Sequence, residues 1–517
     1  MTDKKDFDPT PLAPTQRITV IGSALLALFL GALDALVMSA AMPTIVADLG
    51  GLPLYSWVYS AYFLARAVSL PIFGKLADLF PNRRLFIVAI LLFMASSAAA
   101  GCACNMVTLI AARVVQGIGA GGIFALVYIV LADVSKPAAR GRTLSLASSI
   151  WGIASVLGPT LGGFIVTYFS WRWIFFINLP LGALSVWGIG TYLVALRTPK
   201  PSVSMDLLGV TTLSTAILAF LFAFLMGGRS YPWTSPPILG LLAAFVVGTA
   251  VFIRVEQRAQ DPILPIGMFR MRGFSAGNAA VFLSSFAIFS MFAYAPLFIQ
   301  GVQGKSPMQV GMAMLSLSLG WSLGSLTLGQ VIDRMGRKWA ALGGAACLVA
   351  GSAMTLAFGP QTSGYYSFSC FFVIGVGMGF VALATLLVVQ SAAPRNDLGV
   401  ATASNQFART LGGTVGVGIG GSLIALRFAE LTRSIKTDGI LEQLPSRLTE
   451  SGLDRVEGLL RPEVLAALPP SVRLAVQESV SQGVTAVFWT VLIASLLCLG
   501  CCGLIPAETR PDDGKTL

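Results

Sequence analysis

Four charged side chains lie deep inside long apolar segments of the sequence: Asp34, Arg66, Arg113 and Arg409. A charge inside a bilayer is costly, so such residues usually mark a substrate or proton pathway. At about 1.5 Å per helical residue, Asp34, Arg66 and Arg113 lie roughly 10, 14 and 9 Å below one end of their segments, and Arg409 roughly 15 Å from the opposite end of its own. Asp34 is the one acid well inside such a segment, so we predict that it carries a proton, with Arg113 and Arg66 as candidate charge partners. A permanent structural ion pair is the alternative.

The composition restricts the class of protein. Charged residues make up 11% of the 517 residues, hydrophobic residues 55%, and histidine is absent. A soluble domain carries about 25% charged residues, so soluble, disordered and nucleic-acid-binding classes are excluded although the net charge is +11. Without histidine the usual zinc ligand and catalytic base are missing. We therefore predict a membrane protein that is not an enzyme and that has no metal site and no cofactor.

The charged residues are held by segments of about 20 apolar residues, the length that crosses a bilayer as a helix. Inside lipid the backbone must satisfy its own hydrogen bonds, which favours helices. The sequence predicts fourteen transmembrane helices at 18–41, 57–77, 85–104, 107–131, 143–168, 173–196, 206–227, 236–255, 273–300, 308–332, 338–358, 364–390, 399–425 and 484–505.

Lysine and arginine lie mainly in alternate loops, which predicts that both termini are cytoplasmic. Anionic lipid of the inner leaflet is then the expected neighbour of these cations. The one long loop, 426–483, is placed outside the membrane, and its apolar spacing, as in Leu453 and Val456, suggests short amphipathic helices. It is either a solvated lid or spacer, or a docking surface for an extracytoplasmic partner.

Two predicted cytoplasmic loops repeat one pattern, an aspartate four residues after a glycine and then a basic cluster. An aspartate at a helix end can pair with such a cluster or cap a neighbouring helix N-terminus. The first copy contains Gly74, Asp78, Arg83 and Arg84, and the second contains Gly329, Asp333, Arg334, Gly336 and Arg337.

Both loops resemble motif A of the major facilitator superfamily, and further segments resemble its fourteen-span drug:proton antiporter branch of multidrug efflux type. Leu33–Pro43 is similar to the helix 1 motif, Arg113–Gly122 to motif B, and Trp171–Pro180 to a segment common in these exporters. Pro81 and Asn82 stand where motif A usually has Gly and Arg. The antiporter signature, motif C, is matched by Gly152, Gly158, Pro159, Gly162 and Gly163.

The resemblance implies an all-α integral membrane protein with the major facilitator fold, two six-helix halves plus two inserted linking helices. It also implies that Arg113 organises the proton site. The motif C glycines are then a hinge, or alternatively a site of static close packing. The implied regions are a cytoplasmic tail at 1–17, a first half at 18–196, linking helices at 197–260, a second half at 261–505 and a tail at 506–517.

By resemblance, the chain is a proton-coupled antiporter of the cytoplasmic membrane that exports hydrophobic or amphipathic drugs by alternating access, with the proton gradient as its energy source. It is expected to be a monomer. One acid against three arginines also admits anionic substrates, so a dedicated exporter of a lipid, siderophore or anionic metabolite is the alternative, and a non-transporting sensor is more remote. Candidate polar residues of the substrate cavity are Gln116, Asn278, Gln300, Gln390, Asn405 and Arg409.

Overall fold

The computed structural model describes residues 13–49, 54–135, 139–193, 206–228, 231–259, 262, 264, 266–305, 307–394, 397–437 and 470–507. Within these residues there are fifteen α-helices. In chain order they are α1 (Pro14–Leu49), α2 (Tyr55–Leu79), α3 (Asn82–Gly101), α4 (Met106–Val134), α5 (Arg140–Tyr168), α6 (Trp173–Phe176), α7 (Asn178–Tyr192), α8 (Leu207–Met226), α9 (Pro236–Arg258), α10 (Arg272–Gly301), α11 (Pro307–Met335), α12 (Arg337–Thr355), α13 (Gly364–Ala392), α14 (Leu398–Thr437) and α15 (Pro470–Gly503).

Ten apolar helical segments of the described chain are long enough to cross a membrane. Nine of them belong to α1, α3, α4, α8, α9, α10, α11, α13 and α15, and the tenth combines α6 and α7. The other four long helices, α2, α5, α12 and α14, lie outside this set. The all-helical membrane architecture is therefore confirmed, whereas the count of fourteen spans stays a prediction.

Helices α1–α7 pack into one half of the molecule and α10–α15 into the other. Glycines of α4 set the spacing in the first half. A Cβ at Gly117 would lie 2.4 Å from the Tyr62 carbonyl oxygen, and one at Gly121 would lie 2.8 Å from the Arg66 carbonyl oxygen. Because both distances are too short for a carbon atom, only glycine lets α4 approach α2 this closely.

The inserted helix α8 packs where the two halves meet. Ile217 and Leu221 on α8 form one apolar cluster with Leu64 of α2, and Phe407 of α14 packs against that cluster. Helix α9 packs against α8 and is mostly exposed in the isolated chain. The two linking helices are thus arranged as a layer on the α2–α14 side of the molecule.

Two predicted boundaries differ from the structure. The span predicted at 173–196 is interrupted at Ile177 into the short helix α6 and the longer α7. The loop predicted at 426–483 is helical at both edges, because α14 continues to Thr437 and α15 begins at Pro470. No glycine or proline interrupts the chain between Leu426 and Thr437, and proline favours the first turn of a helix.

The remaining part of that loop, including Leu453 and Val456, lies outside the described residues, as do 1–12 of the first tail and 508–517 of the last. The helical pieces proposed around Leu453 therefore stay a prediction. The first described helix already begins at Pro14, within the predicted tail.

The two repeated loops turn differently. Gly336 precedes α12 with φ of +80°, a conformation that residues with a Cβ rarely adopt. In the first copy Pro81 takes the equivalent place before α3, with φ of −59°. The exchange of glycine for proline therefore changes the backbone path of the loop, although a helix follows directly in both copies.

Candidate functional site

Asp34 lies in the middle of α1 and is the acceptor of a buried polar network. Its Oδ2 pairs with Arg113 Nη1 of α4 at 2.5 Å, and neither side chain is exposed. Its Oδ1 accepts hydrogen bonds from Gln116 Nε2 at 3.0 Å and from Asn178 Nδ2 at 3.2 Å. Three donors from α4 and α7 therefore surround one carboxylate, as an ionised aspartate requires.

Ser97 of α3 completes the network. Its hydroxyl donates to the Phe175 carbonyl oxygen at 2.9 Å and accepts from Gln116 Nε2 at 3.2 Å and from Asn178 Nδ2 at 3.0 Å. Each amide nitrogen thus uses one hydrogen for Asp34 and the other for Ser97. Because Gln116 Oε1 accepts from Arg113 Nη1 at 2.8 Å, the orientation of the Gln116 amide is fixed by hydrogen bonds.

Arg113 is held by α2 as well as by Asp34. Its Nε donates to the Val58 carbonyl oxygen at 3.3 Å, and its guanidinium lies 4.2 Å from the centre of the Tyr62 ring. The Tyr62 hydroxyl in turn donates to the Gly31 carbonyl oxygen of α1 at 3.2 Å. The charge pair therefore joins α1, α2 and α4, and a change in its protonation acts on three helices at once.

Of the two arginines proposed as partners, the structure brings only Arg113 to Asp34. Arg66 forms no ion pair with Asp34 among the described contacts. Its guanidinium instead lies 4.8 Å from the Phe63 ring, 4.9 Å from the Phe124 ring and 5.9 Å from the Tyr62 ring. Arg66 therefore shares Tyr62 with Arg113, although it lies outside the hydrogen bonds around Asp34.

Arg409 of α14 also lies among aromatic rings. Its guanidinium lies 4.9 Å from the Trp151 ring of α5 and 5.2 Å from the Trp321 ring of α11. The Trp321 indole nitrogen donates to the Ser148 hydroxyl at 3.0 Å, which fixes that ring between the halves. The predicted cavity residue Arg409 is therefore at the interface of the two halves.

The first copy of motif A joins the two halves. Asp78, at the end of α2, accepts hydrogen bonds from the backbone nitrogens of Gly399 and Val400 at 2.9 and 3.0 Å. These nitrogens belong to the first turn of α14, so Asp78 caps that helix N-terminus, one of the two predicted uses of this aspartate. A Cβ at Gly74 would lie 2.2 Å from the Ala403 Cβ, which explains the glycine.

The second copy of motif A differs from the first. A Cβ at Gly329 would lie 3.0 Å from the Gly141 carbonyl oxygen of α5, so Gly329 also allows a close contact between the halves. Asp333 and Arg334 are exposed, and Arg337 is half-buried next to Gly336. In the first copy both Arg83 and Arg84 are exposed, and Arg83 donates to the Gly190 carbonyl oxygen of α7. Only the first copy therefore places its aspartate on a helix of the other half.

We call the end of the bundle that carries the motif A loops the motif A end. Further hydrogen bonds join the two halves there. Arg140 Nη2 of α5 donates to Gln390 Oε1 of α13 at 3.0 Å, and Gln390 Nε2 donates to Thr402 Oγ1 at 3.0 Å. Lys75 Nζ donates to the Pro262 carbonyl oxygen at 2.7 Å. The predicted cavity residue Gln390 is therefore part of this junction.

The motif C glycines contact different neighbours. A Cβ at Gly152 would lie 2.7 Å from the Ser318 carbonyl oxygen of α11, and one at Gly158 would lie 2.7 Å from the Leu36 Cβ of α1. Gly162 is buried, and Gly163 has no atom within 4 Å of the added carbon. Helix α5 stays continuous through Pro159, whose side chain lies outside the described residues. Close packing therefore explains Gly152 and Gly158.

The other proposed cavity residues are dispersed. Asn278 Nδ2 bonds the Phe274 carbonyl oxygen of its own helix, and Gln300 is half-buried near the end of α10. Asn405 is buried, and neither its Oδ1 nor its Nδ2 has a hydrogen-bond partner among the described residues. Gln116 belongs to the Asp34 network instead. Among the described residues, no cluster of Cys, Asp or Glu could hold a metal ion.

The Trp-Arg-Trp segment stabilises the opposite end of the first half. The Trp171 indole nitrogen and Arg172 Nη1 both bond Asp48 Oδ2 at 2.9 Å. Asp48 lies beyond the span predicted at 18–41, near the end of α1. The hydrogen bond from Trp171 and then that from Arg172 hold the pKa of Asp48 below its usual value. The segment therefore fixes the end of α1 against the start of α6.

Comparison with known proteins agrees with this architecture. The profile of the Major Facilitator Superfamily matches residues 24–417. The chain is 35% identical over 433 residues to the "Multidrug transporter protein MdtP" of Bacillus subtilis (strain 168). This alignment covers 84% of this chain and 80% of that protein. The chain is 29% identical over 503 residues to "Multidrug resistance protein 3" of the same strain, with 95% of each chain covered.

The fold is also found in a solved structure. The crystal structure of the human organic anion transporter MFSD10 (TETRAN) matches 93% of this chain and 100% of its own, with a TM-score of 0.59 at 14% sequence identity. At that identity the match concerns the fold alone. The family match confirms the resemblance seen in the motifs and indicates a multi-pass membrane transporter, not an enzyme. The chain belongs to the Major Facilitator Superfamily.

Proposed function

We propose that the chain is a proton-coupled antiporter that exports hydrophobic or amphipathic compounds across the cytoplasmic membrane, with both termini in the cytoplasm. The observation that carries the proposal is the Asp34 network. Three acids are buried among the described residues, but Asp78 and Glu256 lie in the last turns of α2 and α9. Asp34 alone lies in the middle of a helix, paired with Arg113.

Protonation of Asp34 would change the contacts that join α1 to α4 and α7. All three groups that bond its oxygens are hydrogen-bond donors. The hydrogen bonds are therefore all satisfied only while Asp34 is unprotonated and accepts them. A proton on Asp34 places a donor against donors and removes the ion pair with Arg113. The arrangement of α1, α4 and α7 then loses stability relative to alternatives, which is how proton binding can select a conformation.

The contacts between the halves support alternating access. In this conformation Asp78, Arg140 and Lys75 join the halves at the motif A end. By the distribution of lysine and arginine this end faces the cytoplasm. A proton that enters from outside would reach Asp34, loosen the network and allow the motif A end to open. The proton would leave there, and the exported compound would enter.

The relatives named "Multidrug transporter protein MdtP" and "Multidrug resistance protein 3" agree with this proposal. We also propose that the protein is a monomer and that its partners are its substrate and membrane lipid. A dedicated exporter of one anionic metabolite is the second candidate. Arg66 and Arg409, buried near the middle of the molecule, favour that candidate.

Transport by purified protein in liposomes tests the proposal. An imposed pH gradient should drive uptake of a fluorescent amphipathic anion such as 1-anilinonaphthalene-8-sulfonate by the wild type and not by Asp34→Asn. Substrate exchange without a gradient should persist in the variant, which shows that the protein is folded. Asp48→Asn, on the same helix but exposed, is the matched control and should keep gradient-driven transport. Full gradient-driven transport by Asp34→Asn would refute the assignment of Asp34.

A further inference from the structure

Two buried arginines come from opposite halves at the same depth. Helices α2 and α14 meet at the motif A end, where Asp78 caps Gly399. Arg66 lies twelve residues before Asp78 and Arg409 ten residues after Gly399. At about 1.5 Å per residue both lie roughly 15–18 Å from that end. This depth is close to the middle of a bilayer of about 30 Å.

A continuous series of ring contacts connects the two arginines. The Arg66 guanidinium lies 4.9 Å from the Phe124 ring, and Phe124 lies 5.3 Å from the Trp151 ring. Trp151 and Trp321 both contact the Arg409 guanidinium, at 4.9 and 5.2 Å. The arginines and the three rings therefore form one cluster, which we call the two-arginine cluster. It draws residues from α2, α4, α5, α11 and α14.

The positive charge of this cluster has no acidic partner among the described residues. Arg66 and Arg409 are 6% and 5% exposed, and neither forms an ion pair in the described part of the chain. Asp34 cannot compensate them, because Arg113, Gln116 and Asn178 already occupy its oxygens.

Donor groups of the same cluster are also unmatched. Arg66 Nη1, Arg409 Nη2 and Trp151 Nε1 have no hydrogen-bond partner among the described residues. Asn405 has no such partner either and lies four residues before Arg409, on the same face of α14. Buried donors and buried charges without partners are costly, so they require a partner such as water, an ion or a ligand.

We propose that the two-arginine cluster binds an organic anion, with its carboxylate or sulfonate between Arg66 and Arg409 and its aromatic or aliphatic body against Phe124, Trp151 and Trp321. This proposal rests on the proposed export function and names its substrate class. Guanidinium groups bind such anions through paired hydrogen bonds, and aromatic rings provide the apolar contact. A cation would add a third positive charge to the site.

Equilibrium dialysis of the purified full chain in detergent micelles tests this proposal, with protein-free micelles as the blank. The probes are 2-naphthalenesulfonate and 2-naphthyltrimethylammonium, which share one aromatic body and carry opposite charges. The wild type should bind the sulfonate at least about tenfold more tightly than the ammonium compound. Arg66→Gln and Arg409→Gln should each weaken sulfonate binding about tenfold or more, since a hydrogen bond to a charged group is worth about 1.5–3 kcal/mol.

Arg258→Gln is the matched control, because Arg258 is exposed at the end of α9 and its loss should leave sulfonate binding unchanged. Tighter binding of the ammonium probe would overturn the proposal, as would unchanged sulfonate binding by both arginine variants. If sodium chloride displaced the sulfonate probe as well as unlabelled sulfonate does, the site would bind any anion, and the proposed contact of an organic body with the three rings would be wrong.

These outcomes are distinct from a failure of the proposed function. Unchanged sulfonate binding by both Arg66→Gln and Arg409→Gln refutes the anion site even if Asp34→Asn loses gradient-driven transport. Conversely, a selective sulfonate site together with full gradient-driven transport by Asp34→Asn would refute the role of Asp34 and keep the site.

Discussion

Ser97 completes the hydrogen-bond network of the candidate proton site. Its hydroxyl accepts from both amides that bond Asp34, and it passes its own hydrogen to the Phe175 carbonyl oxygen. Ser97 therefore fixes both amide nitrogens toward the carboxylate. The neighbouring Ser96 is also buried, but among the described residues its hydroxyl bonds carbonyl oxygens of its own helix alone, those of Leu92 and Phe93.

The two adjacent serines allow a matched comparison. Ser97→Ala leaves the second hydrogens of the Gln116 and Asn178 amides without an acceptor, and an unsatisfied buried group costs about 1–3 kcal/mol. We expect Ser97→Ala to lower the thermal unfolding temperature in detergent and to slow gradient-driven transport. Ser96→Ala, which removes only a bond within one helix, should change both measurements much less. Equal effects of the two substitutions would contradict the role assigned to Ser97.

The same pair of serines shows what residue type and spacing can predict. Asp34 and Arg113 were predictable because a charge inside an apolar helix is exceptional. Ser97 was not, since a serine in an apolar helix commonly bonds a carbonyl oxygen of the preceding turn, as Ser96 does. Asn178 was part of a recognised motif, but its contact with Asp34 depends on the break at Ile177 that starts α7.

At the scale of the helices, the capping of α14 by Asp78 is one of the contacts that join the halves at the motif A end. Both oxygens of Asp78 accept from backbone nitrogens at an N-terminus, where the helix dipole favours negative charge. Asp333 occupies the equivalent place in the second copy but is exposed. The two copies therefore provide a test and its control within one molecule.

Substitution of Asp78 by asparagine should loosen the first turn of α14. Asparagine keeps one acceptor and loses the charge, which costs about 0.5–1 kcal/mol at a helix N-terminus. We expect hydrogen–deuterium exchange of peptides containing Gly399 and Val400 to become about two- to fivefold faster, because this free-energy change shifts the opening equilibrium by that factor.

Asp333→Asn should leave the exchange rate of the α14 peptides unchanged. Unaltered exchange in Asp78→Asn, or an equal acceleration by both variants, would contradict the assignment of Asp78 as the cap. The repeat in the sequence predicted that an aspartate of this kind could cap a helix. It could not identify α14 as the partner, since Asp78 and Gly399 lie more than three hundred residues apart and are brought together only by the packing of the halves.

At the scale of the whole molecule, the apolar segments predicted an all-helical membrane protein, and the described residues form long apolar helices. The apolar pattern was sufficient for this, because helices in lipid must satisfy their backbone internally. The division into two halves was implied by the family resemblance of the motifs. The two-arginine cluster could not be predicted in the same way. Arg66 and Arg409 were predicted as buried charges, but their common depth and shared aromatic neighbours depend on how α2 and α14 meet.

Proton binding at Asp34 should move the two halves, and spin-label distances can measure the movement. In a cysteine-free background, labels at Phe80 and Trp339 report on the motif A end, and labels at Phe169 and Tyr365 report on the opposite end. All four positions are more than half exposed. Because Asp34→Asn cannot form the ion pair with Arg113, we expect the Phe80–Trp339 distance to lengthen and the Phe169–Tyr365 distance to shorten.

The wild type should show the same change when the pH is lowered, since protonation also removes the charge of Asp34, whereas Asp34→Asn should be insensitive to pH. Asp48→Asn should respond to pH as the wild type does, which excludes a general effect of removing an acid from α1. If the distances in Asp34→Asn still follow the pH, the proton that moves the halves binds elsewhere, and the Asp34–Arg113 pair is a fixed structural contact.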